Sequence, residues 1–137
     1  MTDTAPAQSE FQFRIAVRWG DLDAYNHVNN ASYLRYLEET RVQWLHTFTS
    51  DWDAMGAAPV MAAVQLNYRA PIGWPAELVV TQKISRIGNT SLTIEHRIES
   101  ADGRVLHADG HVVLVWIDRT SGQSVPLPDF FRPPAPC

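Results

Sequence analysis

Residues 11–40 read Phe11-Gln-Phe-Arg-Ile-Ala-Val-Arg-Trp-Gly20-Asp-Leu-Asp-Ala-Tyr-Asn-His-Val-Asn-Asn30-Ala-Ser-Tyr-Leu-Arg-Tyr-Leu-Glu-Glu-Thr40, and the hydrophobic period changes in the middle of them. Phe11, Phe13, Ile15, Val17 and Trp19 alternate with Gln12, Arg14, Ala16 and Arg18, the pattern of a strand with one buried face. Gly20 to Asn30 is dense in Asp, Asn and Gly, which favour turns and caps. From Ala31 to about Phe48 the spacing becomes helical. Leu34, Leu37, Trp44, Leu45 and Phe48 recur, and Asn29, Asn30 or Ser32 stands ready to cap the start. A helix of that length, at about 1.5 Å per residue, runs the width of a small sheet.

Outward from that helix, Thr49 to Pro59 reads as a linker with a short helical turn near Trp52 to Met55. Four strand-like segments follow. Val60, Ala62, Val64, Leu66 and Tyr68 alternate with Met61, Ala63, Gln65, Asn67 and Arg69, and Pro71, Gly73 and Pro75 then break the chain. Leu78 to Ser85 comes next, and Gly88-Asn89 turns the chain into Leu92, Ile94, His96 and Ile98. Asp102-Gly103 is a hairpin signal before Val105 to Asp118, the longest β-type run. The first ten residues read as a frayed lead-in. Pro126 to Cys137, with five prolines, reads as a tail over the surface. One strand, one long helix and four strands joined by tight turns predict an α+β domain: an antiparallel meander curled around the helix. The sheet's edges need cover, so a dimer is expected. Residues 1–137 form a single domain on this reading, with an ordered core over about 11–118.

Composition narrows the function classes. The chain has 137 residues, is 45% hydrophobic and 19% charged, and carries a formal net charge of −4, enough for one domain with a real core. A mildly acidic chain without a basic cluster is a poor nucleic-acid binder. The single cysteine, Cys137, forms neither an internal disulfide nor a cysteine-based zinc site. MTDTAPAQSE carries acids and no apolar run, unlike a signal peptide, and no stretch approaches the ~18 apolar residues of a membrane span. A soluble, cytoplasmic protein is the expectation.

The chemistry concentrates in Trp19 to Tyr33. A strand ends, a loop carries Asp21, Asp23 and His27, and a helix begins at Asn29 and Asn30. A helix N-terminus presents unpaired backbone N–H groups and the positive end of its dipole, which bind anions and stabilise a developing oxyanion. A carboxylate on the preceding loop then serves as nucleophile or as general base for water, a pairing suited to acyl transfer. The same residues have plainer readings: Asp21 and Asp23 as turn residues, His27 as a hydrogen-bonded loop residue, Asn29 and Asn30 as caps. His107-x-Asp109-x-His111 has the look of a metal site. In a strand, though, its histidines lie roughly 13 Å apart, too far for one ion, so it reads as a polar strand face near a subunit contact. No metal is expected. There is no Gly-x-Ser-x-Gly elbow and no Gly-rich phosphate loop. On spacing alone, Arg86 to Ser91 is an ordinary hairpin turn.

The run Arg18-Trp-Gly-Asp-Leu-Asp23-Ala-Tyr-Asn-His27-Val-Asn-Asn-Ala-Ser-Tyr33-Leu-Arg-Tyr-Leu-Glu38-Glu closely resembles the active-site signature of the hot-dog-fold acyl-CoA thioesterases. The branch is that of 4-hydroxybenzoyl-CoA thioesterase and the YbgC-like and long-chain acyl-CoA thioesterases. The likeness extends more loosely over residues 11–118, through Tyr68-Arg-Ala-Pro71 and the turn Gly88 to Ser91. It implies a hot-dog fold, an antiparallel sheet wrapped around one central helix. It further implies hydrolysis of a fatty or aryl acyl-CoA to the free acid and CoA. Asp23 matches the catalytic carboxylate and Asp21 the acid before it. Asn29 and Asn30 fall where backbone N–H groups polarise the thioester carbonyl, and His27 and Tyr33 where the acyl end is positioned. Arg86, Gly88, Asn89, Thr90 and Ser91 fall where CoA is held, often by the neighbouring subunit, and Arg86 with Arg69 or Lys83 is the candidate basic patch. A homodimer that pairs into tetramers is implied, and no cofactor beyond CoA as part of the substrate. Asn26 stands where glycine is usual, a departure an asparagine tolerates because it accepts a left-handed backbone. Within the enzyme class the alternative acids are Glu38 and Glu39. A dehydratase fits less well, since it wants a paired His and acid. Outside the enzyme class, the alternative is a non-catalytic acyl-CoA or acyl-carrier-protein binder.

Overall fold

The computed structural model describes residues 10–51 and 56–132; the expected turn near Trp52 to Met55 lies outside them. In chain order the elements are β1 (Phe11–Ala16), α1 (Asn30–His46), β2 (Ala57–Tyr68), β3 (Glu77–Ile87), β4 (Ser91–Ser100) and β5 (Leu106–Asp118), with 3-10 turns at Trp19–Asp21 and Asp129–Phe131. The five strands form one antiparallel sheet in the order β1-β3-β4-β5-β2, with α1 packed on one face. This is the α+β, hot-dog arrangement. No helix among the described residues is long and apolar enough to cross a membrane.

The meander holds only for β3, β4 and β5. β2 pairs with β5, at the opposite edge from β1, so its link to β3 is a crossing and not a tight turn. Pro71 and Pro75 explain the difference, since neither has an N–H to give to a hairpin ladder. Residues 69–76 instead pass beneath the loop before α1. There the Ile72 carbonyl accepts from Val28 N–H at 2.9 Å and the Ala76 carbonyl from Val17 N–H at 2.9 Å.

The sheet's helix-facing side is built from alternate residues: Leu78 and Val80 on β3, Leu92, Ile94 and Ile98 on β4, Ala108, Val112, Leu114 and Trp116 on β5, all buried. On α1, Tyr33, Tyr36, Leu37, Trp44 and Leu45 meet them. They divide into two apolar clusters. One, around Tyr36, Leu37 and Ile98, lies under the start of the helix; the other, around Trp44, Trp116 and Phe131, lies under its end. Between them runs a polar row. Gln82, His96 and Gly110 are neighbours in register across β3, β4 and β5, and Thr40 and Arg41 are the buried helix residues at that level. Gly110 is required there: a Cβ would sit 1.9 Å from the Gln65 carbonyl oxygen and 3.1 Å from His96 Nε2.

Pro126 to Arg132 depart from the expected surface tail; the rest of that tail, 133–137, and the expected lead-in over 1–9 lie outside the described residues. Val125 N–H bonds the Trp116 carbonyl at 2.9 Å and Leu127 N–H the Asn89 carbonyl at 3.0 Å. Leu127 and Phe131 are buried, and Phe131 packs on Trp44 and Trp116 with ring centroids 5.6 and 5.0 Å away. The prolines hid this from a periodicity reading, because they leave no regular spacing while still fixing the chain that delivers two apolar anchors.

Burial pushes the His96 pKa down from 6.5 to about 4; the Gln65 carbonyl opposes this and the Arg41 guanidinium adds to it. The fold thus holds His96 neutral. As pH falls through the window from 6.5 to about 4, the unfolded chain takes up a proton that the folded chain refuses, and stability is lost. Denaturant titrations should show about 2 kcal/mol lost between about pH 7 and pH 5 in the wild type, and a much flatter profile for His96→Gln. Equal slopes in the two proteins would contradict the assignment.

Candidate active site

The loop between β1 and α1 is a miniature hairpin. Leu22 bridges Val28, Asp23 N–H bonds the His27 carbonyl at 2.8 Å, and Asn29 N–H bonds the Asp21 carbonyl at 2.8 Å. Asn26 closes the tip at φ 63°, the left-handed conformation expected of an asparagine standing for glycine. At this tip the Asp23 carboxylate is half-buried. Its Oδ1 accepts Tyr25 N–H at 2.8 Å, an Asx turn, and Oδ2 has no hydrogen bond among the described residues.

Asp23 lines an open pocket of about 350 Å3 with Tyr25, His27, Asn30, Tyr33, Tyr68 and Pro71. The start of α1 forms one wall. Asn29 is the N-cap, its side chain accepting Ala31 N–H at 2.8 Å while its carbonyl takes Ser32 N–H at 2.8 Å. With Asn29's own N–H engaged by Asp21, the Asn30 N–H is the first-turn donor left without a partner among the described residues. The first turn of α1 carries no acidic residue, so its own side chains leave the positive end of the dipole uncompensated. Tyr33 is buried, and burial, with Tyr68 beside it, pushes its phenol up, so it stays a neutral hydroxyl. His27 is exposed at the rim.

Asp21, the neighbouring acid, faces away from this pocket. It is 7% exposed and accepts Tyr36 Oη at 2.7 Å and Arg18 N–H at 2.9 Å, both on Oδ2, with the Arg18 guanidinium 3.4 Å from Oδ1. Burial alone would push its carboxyl up; the Arg18 N–H, the Tyr36 hydroxyl and the Arg18 guanidinium outweigh it and hold the group below the usual carboxylate value.

Tyr68 is the site residue that sequence reading missed. It ends β2, donates its hydroxyl to the Asn30 carbonyl at 3.0 Å, and meets Tyr33 edge-on at 4.8 Å. The available signal was its position, an aromatic residue closing an alternating run just before Arg69-Ala-Pro71. Arg69 also lines the pocket and is paired with Asp109 at 3.1 Å.

Other expected residues lie elsewhere. Arg86, Gly88, Asn89, Thr90 and Ser91 sit on the β3–β4 turn, and none of them lines the Asp23 pocket. β3 starts beside the Asp23 loop and ends at this turn, roughly 30 Å on at ~3.3 Å per residue, so one chain does not bring the two together. The turn is itself well fixed: Gly88 N–H bonds the Ser91 carbonyl at 2.8 Å, and the Arg132 guanidinium holds the Gly88 and Asn89 carbonyls at 3.0 and 3.1 Å. Glu38 and Glu39 are exposed in a separate groove between α1 and β1, beside Arg14, Arg18 and Arg35. In the His107–His111 run, His107 Nδ1 faces the Ala70 carbonyl at 3.1 Å, and Asp109 takes Asn67 and Arg69, so these side chains serve the strand face.

The sequence profile of the thioesterase-like superfamily matches residues 17–134. The chain belongs to that superfamily. Among its relatives, the long-chain acyl-CoA thioesterase FadM of Escherichia coli (strain K12) is 34% identical over 119 residues, 85% of this chain and 89% of FadM. The PA2801 protein of Pseudomonas aeruginosa superposes with a TM-score of 0.82 at 38% identity, covering 87% of this chain and 92% of that one. XC229 of Xanthomonas campestris gives 0.73 at 41% identity, covering 85% and 97%. The superfamily match takes in the Asp23 loop, α1 and the whole sheet after β1.

The Asn26 backbone gives a direct check on the loop. Asn26→Gly should be stability-neutral to within about 0.5 kcal/mol, whereas Asn26→Ala should cost about 1 kcal/mol in urea unfolding, because an ordinary Cβ is strained at positive φ. Equal stability of the two variants would contradict the left-handed tip.

Proposed function

We propose that the protein hydrolyses acyl-CoA thioesters to a free acid and CoA, with Asp23 as the reacting carboxylate. One observation carries this reading: Asp23 and Asn30 line the same pocket, and among the described residues one Asp23 carboxylate oxygen and the Asn30 N–H have no hydrogen-bond partner. The Asn30 N–H would hold the charge that develops on the thioester oxygen, at the positive end of α1. Asn29 acts by capping the helix and not through its own N–H, which refines the expected oxyanion pair to Asn30 alone.

Asp23 Oδ2 either attacks the carbonyl carbon, giving an anhydride that water then opens, or takes a proton from an attacking water. Both routes break the C–S bond, consume one water and release CoA thiol and the carboxylic acid. A thioester is already activated, so the reaction requires no metal or redox group. His27, Tyr33 and Tyr68 would form the walls that orient the acyl group. The name of the FadM relative supports a fatty acyl chain, and the aromatic lining of the pocket suits an aryl group equally.

The site is completed, on this proposal, by a second copy. β2 is an unpaired edge of 12 residues with Val60, Met61, Val64 and Tyr68 between 41% and 48% exposed. Such an edge is a pairing surface. Joining two copies there would bury those side chains and bring a partner's Arg86–Ser91 turn within range of the pocket for the CoA phosphates and pantetheine. Pairing of dimers into tetramers, and a place in the cytoplasm where CoA thioesters are made and used, complete the proposal.

A thiol-release assay over short, long and aromatic acyl-CoAs tests the enzyme. Asp23→Asn should lower kcat by at least about 1,000-fold with CoA binding and thermal stability close to wild type. Near-normal turnover in that variant would sink the assignment. Saturable acyl-CoA binding by a wild type that never turns over would favour a non-catalytic binder.

A further inference from the structure

Asp21 is the other acid of the Asp-x-Asp pair, and its surroundings differ from those of Asp23: it lines the separate groove of Glu38 and Glu39 and is fixed by short hydrogen bonds. It is 7% exposed, both short hydrogen bonds it receives converge on one oxygen, and it is absent from the pocket that Asp23 lines. The three structures it ties together are the end of β1, through Arg18 N–H, the second turn of α1, through Tyr36, and the helix cap, through its own carbonyl and Asn29 N–H.

We propose that Asp21 and Tyr36 form a buried brace that sets the distance between the Asp23 carboxylate and the Asn30 N–H, making both positioning residues for the thioesterase. The inference rests on the function proposed above. The Asp23 carboxylate rides on the hairpin 22–28, whose base is the Asp21–Asn29 rung. The Asn30 N–H belongs to the residue that follows that rung on the other side. One rung therefore feeds both reacting partners, and the Tyr36 hydroxyl, one helical turn beyond Tyr33, pins it to the body of α1. A shift of about 1 Å between a reacting acid and its oxyanion donor costs up to ~100-fold in rate, so a brace at this point acts on kcat and leaves substrate affinity alone.

Positioning and chemistry make opposite demands on Asp21. A brace needs an acceptor oxygen at the Oδ2 position; a reacting acid needs the carboxylate. The side chain introduced by Asp21→Asn would keep an oxygen toward Arg18 N–H and Tyr36 Oη. Its amide NH2 would replace only Oδ1, whose one contact is the 78%-exposed Arg18 side chain. Asp21→Asn should thus keep kcat within about 5-fold of wild type, whereas Asp23→Asn is inactive. Tyr36→Phe should lower kcat about 10-fold with KM unchanged to within about 2-fold. Amide exchange gives a readout independent of turnover: the Asp23 and Asn29 N–H groups should exchange faster in Tyr36→Phe while the global unfolding free energy still exceeds the local opening energy.

Loss of activity in Asp21→Asn as deep as in Asp23→Asn would overturn the proposal by making Asp21 a reacting acid. A wild-type kcat in Tyr36→Phe, or unchanged exchange at Asp23 and Asn29, would overturn it by showing that the rung holds without the brace. Failure of the thioesterase reading shows itself separately, as a wild type without turnover whose exchange arm still reports the brace.

Discussion

One helix has to cover five strands, and most of the molecule follows from how far it falls short. α1 lies closest to β3 and β1, so the other half of the sheet needs different partners. At the far end of the helix, Leu127, Phe130 and Phe131 fold back to close the apolar cluster around Trp44 and Trp116. In the middle, the polar row of Gln82, His96 and Gly110 separates the two clusters, and Gly110, having no side chain, lets β2 come close. At the β2 edge Val60, Met61 and Val64 remain 41% to 43% exposed. A second copy is the simplest solution, and it is the one the functional reading uses.

The start of the helix is where structure becomes chemistry. Asn29 N–H bonds to Asp21, Ala31 and Ser32 bond to Asn29, and the Asn30 N–H has no partner among the described residues. Across the pocket, Asp23 commits one oxygen to its own turn and keeps the other. The same hydrogen-bonding habits that make Asp and Asn turn formers and caps thus leave one donor and one acceptor over. Capping and catalysis are therefore not competing readings of these residues. On the proposed function, the capping bonds select which groups are free to react.

The amino-acid pattern disclosed the element order almost completely, because period-2 and helical spacing alternate cleanly from Phe11 to Asp118. It also disclosed the Asp23 loop, since a carboxylate before a capped helix start is a local feature. What it hid was non-local. The β2–β3 crossing looks like a hairpin until the pairing of β2 with β5 is known, and Phe131 looks like surface until Trp116 is seen beneath it. Residue type and spacing alone do not tell Asp21 from Asp23, and only the family resemblance set them apart; in the fold, Asp21 is buried and bonded by Tyr36, fifteen residues on. Tyr68 reaches Asn30 across thirty-eight residues for the same reason. The distance between Asp23 and the Arg86–Ser91 turn is a property of the sheet's length, visible only once β3 has a direction.

A working site, on this account, takes Asp23 from one chain and the Arg86–Ser91 turn from another. Mixing two impaired proteins tests it most directly: Asp23→Asn dimers and Arg86→Glu dimers, each assayed alone and after subunit exchange. The predicted result is recovery toward about a quarter of wild-type turnover at low substrate, since half the exchanged dimers are hybrids and each hybrid carries one intact site. Turnover that stays at the sum of the two impaired proteins, despite demonstrated exchange, would contradict a shared site.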